Sequence, residues 1–131
     1  MMPTMTPGMK RTLQSSYDEA LLQVVEALKT EGFGVLTEID VRDTLQKKLG
    51  VEFRRYKILG ACNPALAHRA LQAELDVGLM LPCNVVVYEE EGHAVVTAID
   101  PMQTIAAQHP ELLAIAGEVR GKLARVLERL T

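Results

Sequence analysis

Between Tyr17 and Leu28, apolar residues return every three or four positions: Tyr17, Leu21, Val24 and Leu28, joined by Ala20, Val25 and Ala27. This period predicts an amphipathic helix with a wide apolar face. Ser16 and Glu19 supply a capping box at its start, and Gly32 followed by Phe33 supplies a left-handed stop. From Phe33 the period falls to two. That predicts a strand with Phe33, Val35, Thr37 and Ile39 on one face and Leu36 and Glu38 on the other. Asp40 then caps a short helix with the face Val41, Leu45 and Leu49, closed by Gly50. A weaker alternation over residues 9–14 sets Met9, Arg11 and Leu13 against Lys10, Thr12 and Gln14, and predicts a short first strand.

Tyr56 to Ala61 reads as a further strand with Tyr56 and Ile58 on one face. Asn63-Pro64 is a cap followed by proline at the first helical position. The helix it opens runs to about Asp76, with Ala67, Leu71 and Leu75 on one face, and stops near Gly78. Asn84–Glu90 and His93–Ile99 are dense in valine and separated by Glu91-Gly92, the pattern of a tight hairpin. Asp100-Pro101 repeats the cap-plus-proline device. His109-Pro110 opens a last helix with the stripe Leu112, Ala116, Val119, Leu123, Val126 and Leu130.

The order is β-α-β-(α)-β-(α)-β-β-α. The bracketed helices fit either insertions between antiparallel strands or crossovers in a partly parallel sheet. The one-sided strands favour the first. The expectation is an α+β domain, a single antiparallel sheet with helices mainly on one face, over residues 9–131 after a flexible tail at 1–8.

Composition narrows the classes of function. The chain has 131 residues, enough for one domain with a core of its own. Its 14 basic and 17 acidic residues give a net charge of −3, against the basic footprint of a duplex-DNA binder or a polybasic membrane protein. There is no tryptophan, and the aromatic share is 4%, so the core is aliphatic and base stacking is a disfavoured binding mode. Residues 1–8 lack the apolar run of about 7–15 residues of a secretory signal. No segment reaches the ~18 consecutive apolar residues of a membrane span. Two unpatterned cysteines point to a reducing cytoplasm.

Those cysteines are also the main chemical candidates. Gly60-Ala61-Cys62-Asn63-Pro64 and Leu81-Pro82-Cys83-Asn84-Val85 each place a Cys-Asn pair beside a proline. Cys62 follows one strand and Cys83 precedes the next, so in an antiparallel sheet they share an edge. Cys62 also precedes a helix N-terminus, where free N–H groups favour a thiolate or a small anion. Set against this, free cysteines are commonly small buried hydrophobes. No CxxC or zinc spacing occurs, and no metal or cofactor is expected. Asp40, Asp100 and His109 read as helix caps. Arg54, Arg55 and Lys57 read as a charged strand edge rather than a phosphate site.

Several blocks together resemble a known family. Glu31-Gly32-Phe33-Gly34-Val35-Leu36-Thr37-Glu38-Ile39-Asp40-Val41 is similar to the signature of domain of unknown function 302, a widespread bacterial and archaeal family. Tyr56-Lys57-Ile58-Leu59-Gly60-Ala61-Cys62-Asn63-Pro64, Leu81-Pro82-Cys83-Asn84-Val85-Val86-Val87-Tyr88-Glu89 and Asp100-Pro101 resemble its later blocks. The resemblance implies a TATA-binding-protein-like α+β fold and no particular activity. The resulting expectation is a non-catalytic, homodimeric module that binds a small molecule, an anion or a partner through Cys62, Asn63, Cys83 and Asn84. The alternative is a thiol-dependent redox or metal-binding role for Cys62 and Cys83. Nucleic acid is disfavoured as a partner.

Overall fold

The valine-dense pair folds as its pattern requires. Strands β4 (Cys83–Glu90) and β5 (His93–Ile99) pair antiparallel, in register from Val85↔Ala98 to Glu90↔His93. Glu91 and Gly92 both take positive φ, 50° and 80°, which a tight turn matched to the strand twist needs. In the computed structural model, which describes residues 8–131, β1 (Gly8–Thr12), β2 (Gly34–Asp40) and β3 (Tyr56–Cys62) complete one antiparallel sheet in the order β1-β5-β4-β3-β2. The proposed tail over residues 1–8 otherwise lies outside the described residues, but Gly8 is the first residue of β1.

One face of the sheet carries α1 (Tyr17–Thr30) and α5 (Leu113–Glu128). Ser16 caps α1, its hydroxyl accepting from Glu19 N–H at 3.2 Å. The C-terminal stripe is buried throughout: Leu112, Ala116 and Leu123 at 0% exposure, Val126 and Leu130 at 1%. From Val119 to Leu130 it packs with Leu28 and Val24 of α1 against Leu59, Val85, Val87 and Val96 of the sheet. The first stripe residue, Leu112, closes a 3₁₀ turn over Pro110–Leu112, and α5 starts one residue later at Leu113.

Three apolar faces differ from the expectation. In β2 a bulge between Val35 and Thr37 inserts Leu36 as an extra residue. A bulge resets the alternation, so Phe33 and Val35 face the helices while Thr37 and Ile39 turn to the opposite face. Helix α2 (Val41–Leu49), capped by Asp40 through Asp43 N–H, buries none of its residues, and Leu49 lies exposed. Helix α3 (Pro64–Ala73) ends earlier than its pattern suggests. Glu74 is extended at φ −151° and its carboxylate caps a 3₁₀ turn over Leu75–Met80. The tighter turn changes the phase, so Val77 is buried and Leu75 is 82% exposed. Leu66 and Ala70 form the buried face of α3.

Val77 belongs to a second, smaller core with Ala70, Ile105, Ala106, Leu112 and Ala116. It joins α3, the 3₁₀ turns, α5 and the short helix α4 (Ile105–Gln108) at one end of the sheet.

The other face of the sheet carries no buried helix residue from α2, its flanking helix. Register places Ile39, Ile58, Val86 and Thr97 in one row across it, beside Tyr56, Tyr88 and Val95. Tyr56 and Tyr88 stack at 5.4 Å with 6° between planes, Phe53 lies 6.3 Å from Tyr56, and Lys10 sits 5.9 Å over Tyr88. The low aromatic share therefore does not prevent an aromatic strip, since three rings fall at one place.

Candidate functional site

The Leu81-Pro82-Cys83-Asn84 segment leads into β4. Ala61 pairs with Cys83 and Gly60 with Asn84. Because strand side chains alternate, the two residues of this Cys-Asn pair go to opposite faces. Cys83 turns toward the helices and is 5% exposed, whereas Asn84 is exposed on the other face.

Cys62 and Cys83 come to the same end of β3 and β4, as free thiols. Both line an apolar cavity of about 30 Å³, closed by Phe33, Leu66, Leu81 and Val119. That volume holds about one water, and its apolar walls offer a water no partners. Burial pushes the Cys83 thiol from its ordinary 9.0 up to about 11, and the nearby Cys62 adds to the rise. A thiol held protonated in apolar surroundings is a poor nucleophile and a poor metal ligand at neutral pH.

The raised value makes stability depend on alkaline pH. Below pH 9 the thiol is protonated in the folded and unfolded chain alike. Between pH 9 and about 11 the unfolded chain loses the proton first, so it gains relative to the folded one. This thiol therefore removes stability on the order of 2–3 kcal/mol as pH rises through that window. Denaturant unfolding of wild type and Cys83→Ala at pH 8 and pH 11 isolates the term. The difference between the two proteins should narrow as pH rises, and an equal pH response in both would refute the burial argument.

Asn63 is committed to structure. Its carbonyl accepts from Leu66 N–H at 3.3 Å, capping α3, and its amide donates to Glu31 O at 3.2 Å. Asp100 is likewise committed, and its carboxylate is 6% exposed. It accepts from Met102 N–H and from Arg120 Nε, each at 3.0 Å. His68 and His93 are exposed and stand apart from the cysteines. The basic cluster is spent on acids: Arg54 on Glu90, Arg55 on Asp18, Lys57 on Glu38. The cluster is therefore charge-paired, but it does not blunt a sheet edge as expected: β3 lies inside the sheet, with Lys57 paired to Asp40 on one side and Val87 on the other.

Asn84 reaches a different space. A cleft of about 400 Å³ lies between Leu79, Met80, Leu81 and Pro82 on one side and Gln103, Thr104 and Gln108 on the other, with Ile99 and Asn84 also in its lining. Leu81 and Pro82 line both this cleft and the cysteine cavity, so they form the wall between them. No local pattern marks Gln103 and Gln108, which sit beside and on a four-residue helix too short to show a period.

The blocks that build this wall lie within a family-wide match. The model of "Domain of unknown function DUF302" matches residues 9–130. The chain belongs to the DUF302 family. Its structure is similar to the crystal structure of an uncharacterized conserved protein DUF302 from Bacillus stearothermophilus, with 35% identity and a TM-score of 0.88 over 97% of this chain and 100% of that one. No curated protein matches the chain. The DUF302 match spans the sheet, the helices and both Cys-Asn segments. No helix among the described residues is long and apolar enough to cross a membrane.

Proposed function

We propose that this DUF302 protein is a non-catalytic module that binds a small neutral molecule in the cleft beside Asn84. The observation that carries the reading is the chemistry of the lining. Asn84, Gln103, Thr104 and Gln108 offer amide and hydroxyl groups opposite the apolar wall Leu79–Pro82, and no ionisable side chain takes part. A charged ligand there would lose water without gaining a counter-charge. A neutral amphipathic ligand keeps its hydrogen bonds and buries its apolar part, in a volume within the usual range for small-molecule sites of roughly 300–1,000 Å³.

The open sheet face supports a homodimer. Its apolar centre, Ile39, Ile58, Val86 and the Tyr56–Tyr88 stack, has Lys10 at one margin and Glu90 at another. A two-fold contact sets such a patch on itself with both signs of charge available. A TATA-binding-protein-like reading would bring nucleic acid to this face instead, but the paired Arg54, Arg55 and Lys57 and the net charge of −3 weigh against it. The thiol-dependent alternative is weakened by the buried, protonated Cys83. A reducing cytoplasm fits two free thiols.

The test is side-chain amide NMR with a panel of neutral cyclic dipeptides, aliphatic amides and nucleosides. At least one class should shift the Asn84, Gln103 and Gln108 amide signals. Asn84→Leu should weaken that binding by about tenfold, the loss of one hydrogen bond left unmade. Tyr88→Arg should turn a sedimenting dimer into a monomer and leave the cleft signals in place. Shifts confined to other residues, or none at millimolar probe, would refute the cleft.

A further inference from the structure

The end of α3 and the segment after α4 bring together side chains that the sequence keeps far apart. Ligand atoms of Glu74, His109 and Glu111 all lie within 4.8 Å of one another. We infer that these residues form a binding site for a divalent cation of the zinc class, with two carboxylates and one imidazole as ligands.

Four observations support it. First, the donor set is of the mixed nitrogen and oxygen kind that suits zinc, and three protein ligands leave a fourth position for water or a bound ligand. In a tetrahedral site with metal–ligand bonds of about 2.0–2.2 Å, neighbouring donors lie roughly 3.4 Å apart. His109 Nδ1 is already 3.6 Å from Glu111 Oε1, and all three donors lie within 4.8 Å of one another, so side-chain movements of up to about 1.4 Å close the site.

Second, among the described residues neither carboxylate has a permanently charged cation beside it, and the capping bond from Asp76 N–H uses only Oε1 of Glu74. Among the described residues neither Glu74 nor Glu111 pairs with a lysine or arginine, and His109 is the one basic partner of Glu111. Two like charges this close repel each other unless a positive charge stands between them.

Third, His109 is free for the task. It occupies the cap position of the 3₁₀ turn Pro110–Leu112, but its side chain makes no capping hydrogen bond, and that side chain is 21% exposed. The expected role of helix cap is therefore taken by its backbone alone, whose carbonyl accepts from Leu112 N–H at 2.8 Å.

Fourth, the backbones on both sides are fixed. Glu74 N–H donates to Ala70 O at 2.9 Å and His109 N–H to Ile105 O at 2.8 Å, and the second core anchors both segments through Ala70, Ile105 and Leu112. A preformed set of ligands binds metal without first having to order the chain.

The site is separate from the proposed cleft and does not depend on it. The test is titration of the full chain with Zn²⁺ against a chromophoric chelator, and with Co²⁺ followed by its visible absorption. Wild type should bind one metal ion per chain with a spectrum free of thiolate charge transfer. The Cys62→Ser/Cys83→Ser double variant should bind equally well. His109→Ala, Glu74→Gln and Glu111→Gln, each checked for folding by circular dichroism, should each weaken binding by at least about tenfold. No binding at a several-fold molar excess of Zn²⁺ would overturn the inference. So would binding lost with the cysteines, or binding that survives substitution of any one of the three ligands.

Discussion

Leu123→Ala should lower the free energy of unfolding by about 2–5 kcal/mol, the usual cost of deleting a buried leucine side chain together with the cavity it leaves. Leu123 is 0% exposed at the middle of the α5 stripe and belongs to the core that joins α1, α5 and the sheet. Neighbours anchored in two helices and a sheet cannot collapse freely into the space, which favours the upper half of the range. Typical domains have only about 5–15 kcal/mol in all, so one such change removes a large share. Urea unfolding measures it: the midpoint should fall with an unchanged slope. Leu79→Ala is the comparison, since Leu79 is 89% exposed and its loss should cost under about 0.5 kcal/mol. Equal effects at the two positions would mean that the stripe is not the core.

Gly60→Ala should destabilise by about 1–3 kcal/mol through overpacking rather than through lost contacts. A Cβ at residue 60 would lie 2.7 Å from Pro82 Cγ, and nearer still to Thr37 Oγ1. Thr37 can rotate away, but the proline ring is rigid and belongs to the wall between the cysteine cavity and the cleft. The strain should therefore pass into that wall, and shifts in the Asn84 and Gln103 amide signals should accompany the loss of stability. Gly78→Ala meets nothing within 4 Å and should change stability little. Adding Thr37→Ala to Gly60→Ala should recover only the part of the cost due to the hydroxyl. Full recovery would show that Pro82 is not the obstacle.

These two positions differ in how openly the sequence shows them. Leu123 sits in a run whose spacing of four and three residues repeats over several turns, so its burial follows from the period alone. Gly60 carries no such signal. Its need for a missing side chain arises where β2 and the Pro82 loop close over it, and both are set by pairing between distant segments.

The candidate site divides along the same line. The Cys-Asn repeats pointed to one sheet edge, and the antiparallel pairing of β3 with β4 brings Cys62 and Cys83 to the same end of those strands. The repeats could not tell that Asn63 is consumed as a cap, or that alternation sends Asn84 away from Cys83. Ile39 moved to the open face because of one bulged residue, and Leu75 left the core because a 3₁₀ turn replaced an α-helical one. Each is a local change of phase that an unbroken period cannot contain.

By itself, then, the sequence determined the type and order of the strands and main helices, the α5 stripe and the capping roles of Ser16, Asp40 and Asn63, and it favoured the antiparallel sheet; Asp100 holds the turn before α4 and does not cap that helix. All of these rest on near neighbours and on which face of an element avoids water. Tertiary structure alone decided the second core, the cleft at Asn84, the aromatic strip of Phe53, Tyr56 and Tyr88, and the meeting of Glu74 with His109 and Glu111. These features are made between segments far apart in the chain, where register and loop closure, not local period, set the distances.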